Sequence, residues 1–222
     1  MNVRMICFDW GGVILRHCRS WEEGCAAAGL DLRIDARCAQ GIARRRELTR
    51  LHQVGKLEHA QYLEALRDAV GGVYAVDELA KLHDAWLLDE YEGVHDVISS
   101  LVATPALETG LLSNTNHAHW VTHLPNQDAP ARYPTAGLLK HRHASHLMGL
   151  MKPGHEIYRE FERLTSSEPH EILFFDDLEE NVRTARSLGW YAVHVDHTGD
   201  TASQIASALK EHGVKTADQR IR

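Results

Sequence analysis

Side chains suited to phosphate and metal chemistry follow apolar runs at separate places along the chain. They are Asp9 after residues 3–8, Ser113 and Asn114 after residues 107–112, Lys152 before Pro153, and Asp176 with Asp177 after residues 172–175. A phosphoryl group is anionic, so a carboxylate that attacks it needs nearby positive charge. Mg²⁺ held by carboxylates, together with a lysine ammonium, supplies that charge. All of these side chains therefore suit the same ligand.

Each candidate has a role in that chemistry. Asp9 is the candidate nucleophile, because a carboxylate can form an aspartyl-phosphate that water later hydrolyses. The adjacent acids Asp176 and Asp177 repel each other, and a cation would offset that repulsion. Lys152 would pair with both the phosphate and Asp9. Ser113, Asn114 and nearby backbone N–H groups would donate hydrogen bonds to the transferring phosphoryl oxygens. Trp10, beside the nucleophile, either contacts substrate or packs away from it.

Strands that alternate with helical stretches must position these residues. We predict strands over 3–8, 107–112, 172–175 and 191–195, and helices over 156–164 and 204–211. This alternation indicates a doubly wound, Rossmann-like parallel sheet with helices on both faces. In such a sheet, polar residues beyond the carboxyl ends of the strands converge on one crevice.

Residues 21–91 show a different pattern. Apolar residues recur there at three- and four-residue spacing, and we predict helices over 21–28, 37–54, 57–70 and 76–88 with no strand between them. The expected organisation is an α/β core domain from residues 1–15 and 92–222, with a small all-helical cap domain from residues 16–91.

Composition limits the partners. The chain has 222 residues, 44% hydrophobic and 25% charged, with a net charge of −7. This balance argues against nucleic acid or an anionic membrane as the main partner. The partner expected from the phosphate and metal chemistry above is a small phosphorylated metabolite. The four cysteines have no CxxC spacing. Neither a signal peptide nor a transmembrane run is evident, so we expect a cytoplasmic protein. Oligomeric state is not readable from the sequence.

The chain resembles the haloacid dehalogenase (HAD) superfamily in four ordered motifs. They are Phe8-Asp9-Trp10-Gly11-Gly12-Val13-Ile14, Leu111-Leu112-Ser113-Asn114-Thr115-Asn116, Met151-Lys152-Pro153, and Phe174-Phe175-Asp176-Asp177 through Asn181. The resemblance implies a Mg²⁺-dependent phosphatase with Asp9, the backbone carbonyl of Gly11, Asp176 and Asp177 around the ion. Residues 55–62 are similar to a cap segment of sugar-phosphate phosphatases. The subgroup most resembled is the α-glucose-1-phosphate phosphatases.

Gly11 departs from the pattern of most phosphatases in this superfamily, which have a second Asp there as general acid and base. That group's contribution is typically about 10²–10⁴-fold. The glucose-1-phosphate phosphatase subgroup is similar in having glycine at this position. His17 or His117 is a candidate substitute, because imidazole has a suitable pKa.

Gly11 leaves alternatives to a phosphatase open. One is a catalytically weak phosphate-binding protein. Another is a phosphonoacetaldehyde hydrolase-like enzyme, for which Lys56 is the candidate Schiff-base lysine. Haloacid dehalogenases also lack the second Asp, but the acidic pair Asp176 and Asp177 speaks against that activity.

Histidine is abundant, with 16 residues. Five of them cluster along the chain, namely His117, His119, His141, His143 and His146. This spacing suggests a transition-metal site, but no cysteine or paired acid accompanies them. We therefore interpret them as solvated loop residues.

Overall fold

The computed structural model describes residues 3–35 and 38–216. In chain order the strands and helices are β1 (Met5–Phe8), β2 (Leu15–His17), α1 (Trp21–Ala28), α2 (Ala39–Gln53), α3 (His59–Ala69), α4 (Val76–Ala85), β3 (Leu87–Glu90), α5 (Val94–Val102), β4 (Glu108–Ser113), α6 (His117–Trp120), β5 (His141–Ala144), α7 (Ser145–Met148), α8 (His155–Thr165), β6 (Ile172–Asp176), α9 (Glu179–Ser187), β7 (Tyr191–His194) and α10 (Thr201–Glu211). No helix within the described ranges is long and apolar enough to cross a membrane.

A five-stranded parallel sheet forms the centre of the fold. Its strand order is β5-β4-β1-β6-β7, with β1 in the middle. Alternate residues of a strand point to opposite faces. Ile6 and Phe8 accordingly join one hydrophobic cluster, and Met5 and Cys7 join another. The predicted doubly wound α/β sheet is confirmed.

Helices cover both faces of this sheet. On the face of Ile6, apolar residues of α5 and α10 complete the cluster, among them Ile98 and Ile205. On the opposite face, Phe161 of α8 and Val182 of α9 pack against the strands. The order and type of the predicted core strands and helices match the structure, with ends shifted by a few residues.

Helices α1–α4 pack on one another around a separate apolar cluster. Its buried members are Cys25, Ala28, Leu48, Tyr62, Leu63, Leu66, Val70, Tyr74, Leu79 and Leu82. We call residues 21–85 the helical segment. The predicted start of its second helix, Arg37, lies outside the described residues. The division into a core of 1–15 and 92–222 and a cap of 16–91 stays a prediction.

Two short strands flank the helical segment and correct the prediction that 16–91 is wholly helical. β2 and β3 form an antiparallel pair, so the helix predicted over 76–88 ends earlier, at Ala85. The chain enters the helical segment after β2 and returns from it through β3. Pairing of the two strands gives their backbone N–H and C=O groups hydrogen-bond partners. In β3 only Leu87 is buried. A single buried residue gives no alternation of apolar and polar residues from which a strand could be predicted.

The edge strand β5 was also missed, because its sequence His141-Arg142-His143-Ala144 has little apolar character. It pairs with β4. The His141 ring nitrogen Nε2 lies 3.0 Å from a carboxylate oxygen of Glu108, and the ring of His143 stands edge-on to Phe161. The interpretation of these two histidines as solvated loop residues is wrong.

Candidate functional site

The carboxyl ends of three neighbouring strands bring the predicted chemistry together. Asp9 follows β1, while Ser113 and Asp176 end β4 and β6 on either side of it. A cavity of about 400 Å³ opens there. Of the predicted site residues, those that line it are Asp9, Trp10, Gly11, Ser113, Asn114, Lys152 and Asp177. Asp176 is fully buried and does not form part of the wall.

Lys152 is the positive centre of this cluster. Its side chain is fully buried, and Nζ lies 2.6 Å from Asp176 Oδ2 and 3.0 Å from Asp9 Oδ2. Burial by itself lowers the pKa of a lysine, but the carboxylates of Asp176 and Asp9 outweigh that effect and raise the pKa of Lys152 above its ordinary value. The ammonium is therefore charged, and it bridges the candidate nucleophile and the acidic pair.

Asn114 holds the backbone of Lys152 in place. The Asn114 side-chain amide donates to the carbonyl of Lys152 at 2.8 Å, and its Oδ1 accepts from the N–H of the same residue at 2.9 Å. This two-point contact joins the loop after β4 to the segment before α8. In the structure Asn114 thus positions the lysine, and it also lines the cavity.

Both carboxylate oxygens of Asp176 accept hydrogen bonds from within the protein. Its Oδ1 accepts from the backbone N–H of Leu178 at 2.8 Å and from the amide of Asn181 at 2.9 Å, and Oδ2 contacts Lys152. These contacts fix the start of α9 to the end of β6. They also leave Asp176 more suited to holding Lys152 than to facing the cavity.

Asp177 faces the cavity and pairs with an arginine that the sequence analysis did not identify. Arg19 Nη1 lies 2.6 Å from Asp177 Oδ2. Gly12 makes this approach feasible: its φ is +81°, and a Cβ there would lie 2.3 Å from the Asp177 carboxyl carbon. Any larger residue at position 12 would therefore displace the Arg19–Asp177 pair.

Asp9 is buried beside these charges. Its carboxylate accepts a hydrogen bond from the backbone N–H of Trp10 at 2.7 Å. Burial raises the pKa of Asp9 to about 7, and Asp176 and Asp177 add to the rise against the opposing effect of Lys152. With all five groups ionised, three carboxylates face two cations, Lys152 and Arg19, which leaves an excess of negative charge.

That excess and the donor set fit a divalent cation. Oxygen atoms of Asp9, Asp176 and Asp177 lie within 4.8 Å of one another, and carboxylate oxygens are the ligands that Mg²⁺ prefers. Asp9 and Asp177 reach the cavity and are best placed to hold the ion, with the Gly11 carbonyl implied by the resemblance. An ion at Asp177 would compete with Arg19 for the same carboxylate.

Gly11 and His17 meet where most superfamily members have a second Asp. A Cβ on Gly11 would lie 2.7 Å from Cδ2 and 3.1 Å from Nε2 of His17. The imidazole therefore occupies the space that a side chain at position 11 would need. His17 lines the cavity, and its Nδ1 donates to the Cys18 carbonyl at 2.9 Å, with Nε2 as the free acceptor of the neutral ring. His117 is exposed and does not line this cavity.

The structure does not support a chemical role for two other candidates from the sequence. Trp10 lines the cavity, but its indole packs edge-on against Trp120 and Tyr133 in the hydrophobic core, which favours packing over substrate contact. Lys56 is exposed and does not line this cavity. The placement of Lys56 disfavours a Schiff-base role.

A second cavity of about 530 Å³ adjoins the first on the side of the helical segment. The two share Arg19, Gln53, Trp86 and His119 in their walls. Burial and the nearby imidazole of His83 hold the pKa of His119 well below its ordinary value. Nothing in the one-dimensional spacing marks these shared residues, because they come from four separate stretches of chain.

Comparison with known proteins places the chain among hydrolases. The sequence model of the haloacid dehalogenase-like hydrolase family matches residues 3–189. No curated protein sequence matches this chain. Among solved structures, a predicted HAD-like family hydrolase from Porphyromonas gingivalis is 25% identical over 95% of this chain and 99% of its own, with a TM-score of 0.74.

Two further structures show similarity of fold. A HAD family enzyme from Bacteroides thetaiotaomicron, in complex with magnesium and inorganic phosphate, is 21% identical over 91% of this chain and 98% of its own, with a TM-score of 0.68. An L-2-haloacid dehalogenase is 19% identical over 90% of this chain and 87% of its own, with a TM-score of 0.60.

The raised pKa of Asp9 has a consequence for stability in the absence of metal. The folded value of about 7 exceeds the ordinary 3.8, so the folded state holds a proton that the unfolded state releases. Stability present at acidic pH is therefore lost as the pH rises from about 4 to 7. We expect Asp9→Asn in EDTA to gain stability over the wild type across this range, by up to about 4 kcal/mol.

Urea unfolding at several pH values measures this difference. Asp89→Asn is the matched control, because the Asp89 side chain is 83% exposed and its substitution should change stability by no more than about 0.5 kcal/mol. A difference between Asp9→Asn and wild type that stays flat from pH 4 to 7 would contradict the electrostatic account of the site.

Proposed function

The chain belongs to the haloacid dehalogenase-like hydrolase family, and we propose that within it this protein is a Mg²⁺-dependent phosphatase of a small phosphorylated metabolite. The reaction proceeds through an aspartyl-phosphate on Asp9. A sugar phosphate is the favoured substrate, as expected from the resemblance to the α-glucose-1-phosphate phosphatases.

The observation that carries this proposal is the buried bridge from Lys152 to Asp9 and Asp176, with Asp177 at the cavity edge. A lysine that bridges a candidate nucleophile and a second buried carboxylate suits the transfer of an anionic group. The Bacteroides enzyme in complex with magnesium and inorganic phosphate supports the same ligands for this fold.

The transfer step uses residues at the strand ends. An oxygen of Asp9 forms a bond to phosphorus while the bond from phosphorus to the ester oxygen breaks. Lys152 neutralises charge between Asp9 and the phosphoryl group, and Ser113 with nearby backbone N–H groups donates to its oxygens. A bound Mg²⁺ would add Lewis-acid neutralisation at the same group. Asn114 holds the backbone of Lys152 in position for this step.

Proton transfer falls to His17. Gly11 offers no side chain for it, and the His17 ring fills the corresponding space. Burial and the neighbouring Arg19 lower the pKa of His17, so the neutral ring prevails and its Nε2 can accept a proton from water. That water attacks phosphorus, releasing phosphate and restoring Asp9. A sugar 1-phosphate has a leaving group that departs more easily than an alkyl alcohol, so its oxygen can leave without an acid residue and take a proton from water.

The adjoining cavity supplies room for the rest of the substrate. Volumes of about 300–1,000 Å³ are usual for small-ligand sites, and the second cavity of about 530 Å³ falls in that range. Gln53, Trp86 and His119 stand between the two spaces. We propose that these side chains contact the leaving group, and that movement of the predicted cap excludes water during transfer.

Phosphate release from a panel of sugar phosphates, nucleotides and an activated aryl phosphate tests the function. We expect release that depends on Mg²⁺, is abolished by EDTA and is lost in folded Asp9→Asn, because both the ion and the nucleophile are required. Asp89→Asn, at an exposed position, is the control. Turnover of a haloacid without metal would favour a dehalogenase, and saturable phosphate binding without turnover would favour a binding protein.

The role of His17 has its own test. We expect His17→Ala to lower turnover by about 10²–10⁴-fold on an alkyl phosphate and on an activated aryl phosphate alike, because hydrolysis of the aspartyl-phosphate is common to both. Gly11→Asp alone should fail because its side chain would meet the His17 ring, whereas Gly11→Asp combined with His17→Ala should recover activity. His117→Ala is the control. Wild-type turnover of His17→Ala on the alkyl ester would refute the assignment.

A further inference from the structure

Three histidines from three helices meet inside the helical segment, apart from the acidic site. His52 lies in the last turn of α2, His59 begins α3, and His83 lies in the last turn of α4. Ring nitrogens of the three lie within 4.8 Å of one another. We propose that His52, His59 and His83 bind a divalent transition-metal ion of the Zn²⁺ type.

Unsatisfied nitrogen atoms are the main evidence. Nδ1 of His59 and both ring nitrogens of His83 are buried and make no hydrogen bond, and only 6% of His83 is exposed. A buried polar atom without a hydrogen-bond partner is destabilising. Several such atoms in one cluster suit a single shared partner, and a metal ion is a partner that imidazole nitrogens can share.

Two of the three histidines, His52 and His59, have lowered pKa values, which favours the neutral form that binds metal. Burial lowers the pKa of His52 to about 3, and the neighbouring rings of His83 and His59 add to the effect. Burial likewise lowers the pKa of His59. Neutral imidazole is the ligand form of histidine. Three nitrogen ligands suit Zn²⁺, Co²⁺ or Ni²⁺, whereas the oxygen ligands of the acidic site suit Mg²⁺.

The required movement is small. Ligand atoms about 2.1 Å from a tetrahedral ion stand about 3.4 Å apart. Side-chain rotations that move the ring nitrogens by one to two ångströms would bring them to that spacing. The three imidazoles are already close, with ring centroids 4.6 Å apart for His59 and His83 and 5.3 Å for His52 and His59.

Neighbouring groups surround His83 without occupying its ring nitrogens. Oδ1 of Asp84 lies 3.8 Å from His83 Nδ1, which is beyond hydrogen-bond distance. The ring of His119 stacks on His83 at 3.9 Å, and His119 Nε2 donates to the His83 carbonyl at 2.9 Å. His119 lines both cavities, so an ion at this cluster would sit beside the passage between them.

An open coordination position would face the substrate space. His52, His83 and Tyr62 line the larger cavity. A three-histidine site with one open position is typical of metal ions that bind water or a ligand group. We therefore assign the ion a place in the cavity wall, where it would take water or an anionic group of the bound ligand.

Metal titration of EDTA-stripped full-length protein tests the site, with Mg²⁺ in excess to occupy the acidic cluster. We expect one Zn²⁺ to bind per chain and one Co²⁺ to give the intense visible absorption of a four-coordinate ion. His59→Gln and His83→Asn should each weaken binding by about 100-fold or more, since loss of an outer partner alone costs about 10–100-fold.

His170→Gln is the matched control, because His170 is exposed and remote from the cluster along the chain; it should bind Zn²⁺ like the wild type. Thermal unfolding of the metal-free variants checks that the fold is retained. If His83→Asn does not fold, the test rests on His59→Gln. The proposal is overturned if the wild type binds no Zn²⁺, or if folded His59→Gln binds it as tightly as the wild type does.

Discussion

A fully buried lysine between two carboxylates is the interaction on which the rest of the site depends. Lys152 contacts both Asp9 and Asp176, and loss of the fully buried partner Asp176 is the kind of change that typically costs about 3–5 kcal/mol. Asn114 fixes the lysine through its backbone, while Leu178 and Asn181 fix Asp176. The network thus ties the ends of β1, β4 and β6 together around one positive charge and points Asp9 into the cavity.

The sheet supplies this network and the helical segment encloses it. β2 and β3 carry the chain out of the core and back, which places His17 and Arg19 beside Gly11 and Asp177. Gln53 and Trp86 complete the wall. Because Arg19 pairs with the same carboxylate that suits Mg²⁺, ion binding and the position of this connecting stretch are coupled. The two glycines after the nucleophile provide the space that His17 and Asp177 occupy.

The sequence allowed the central sheet and the charged cluster to be predicted, because both rest on local patterns: apolar runs that end in Asp9, Ser113 and Asp176. The edge strand β5 could not be predicted because its sequence, with two histidines and an arginine, has little apolar character. The short strands β2 and β3 were not predicted either. Residues brought together only by the packing of helices were also missed. Arg19 and the trio His52, His59 and His83 share no spacing that marks them, whereas the histidines of 117–146 that looked clustered along the chain do not form such a trio in the structure.

Trapping the covalent intermediate tests the central claim most directly. The protein would be mixed with Mg²⁺ and a substrate that it turns over, quenched within milliseconds, reduced with borohydride and digested for mass spectrometry. An aspartyl-phosphate at the nucleophile predicts conversion of Asp9 to homoserine, only with substrate and Mg²⁺ present. Steady turnover with Asp9 unmodified throughout, or reduction at another carboxylate instead, would contradict the account.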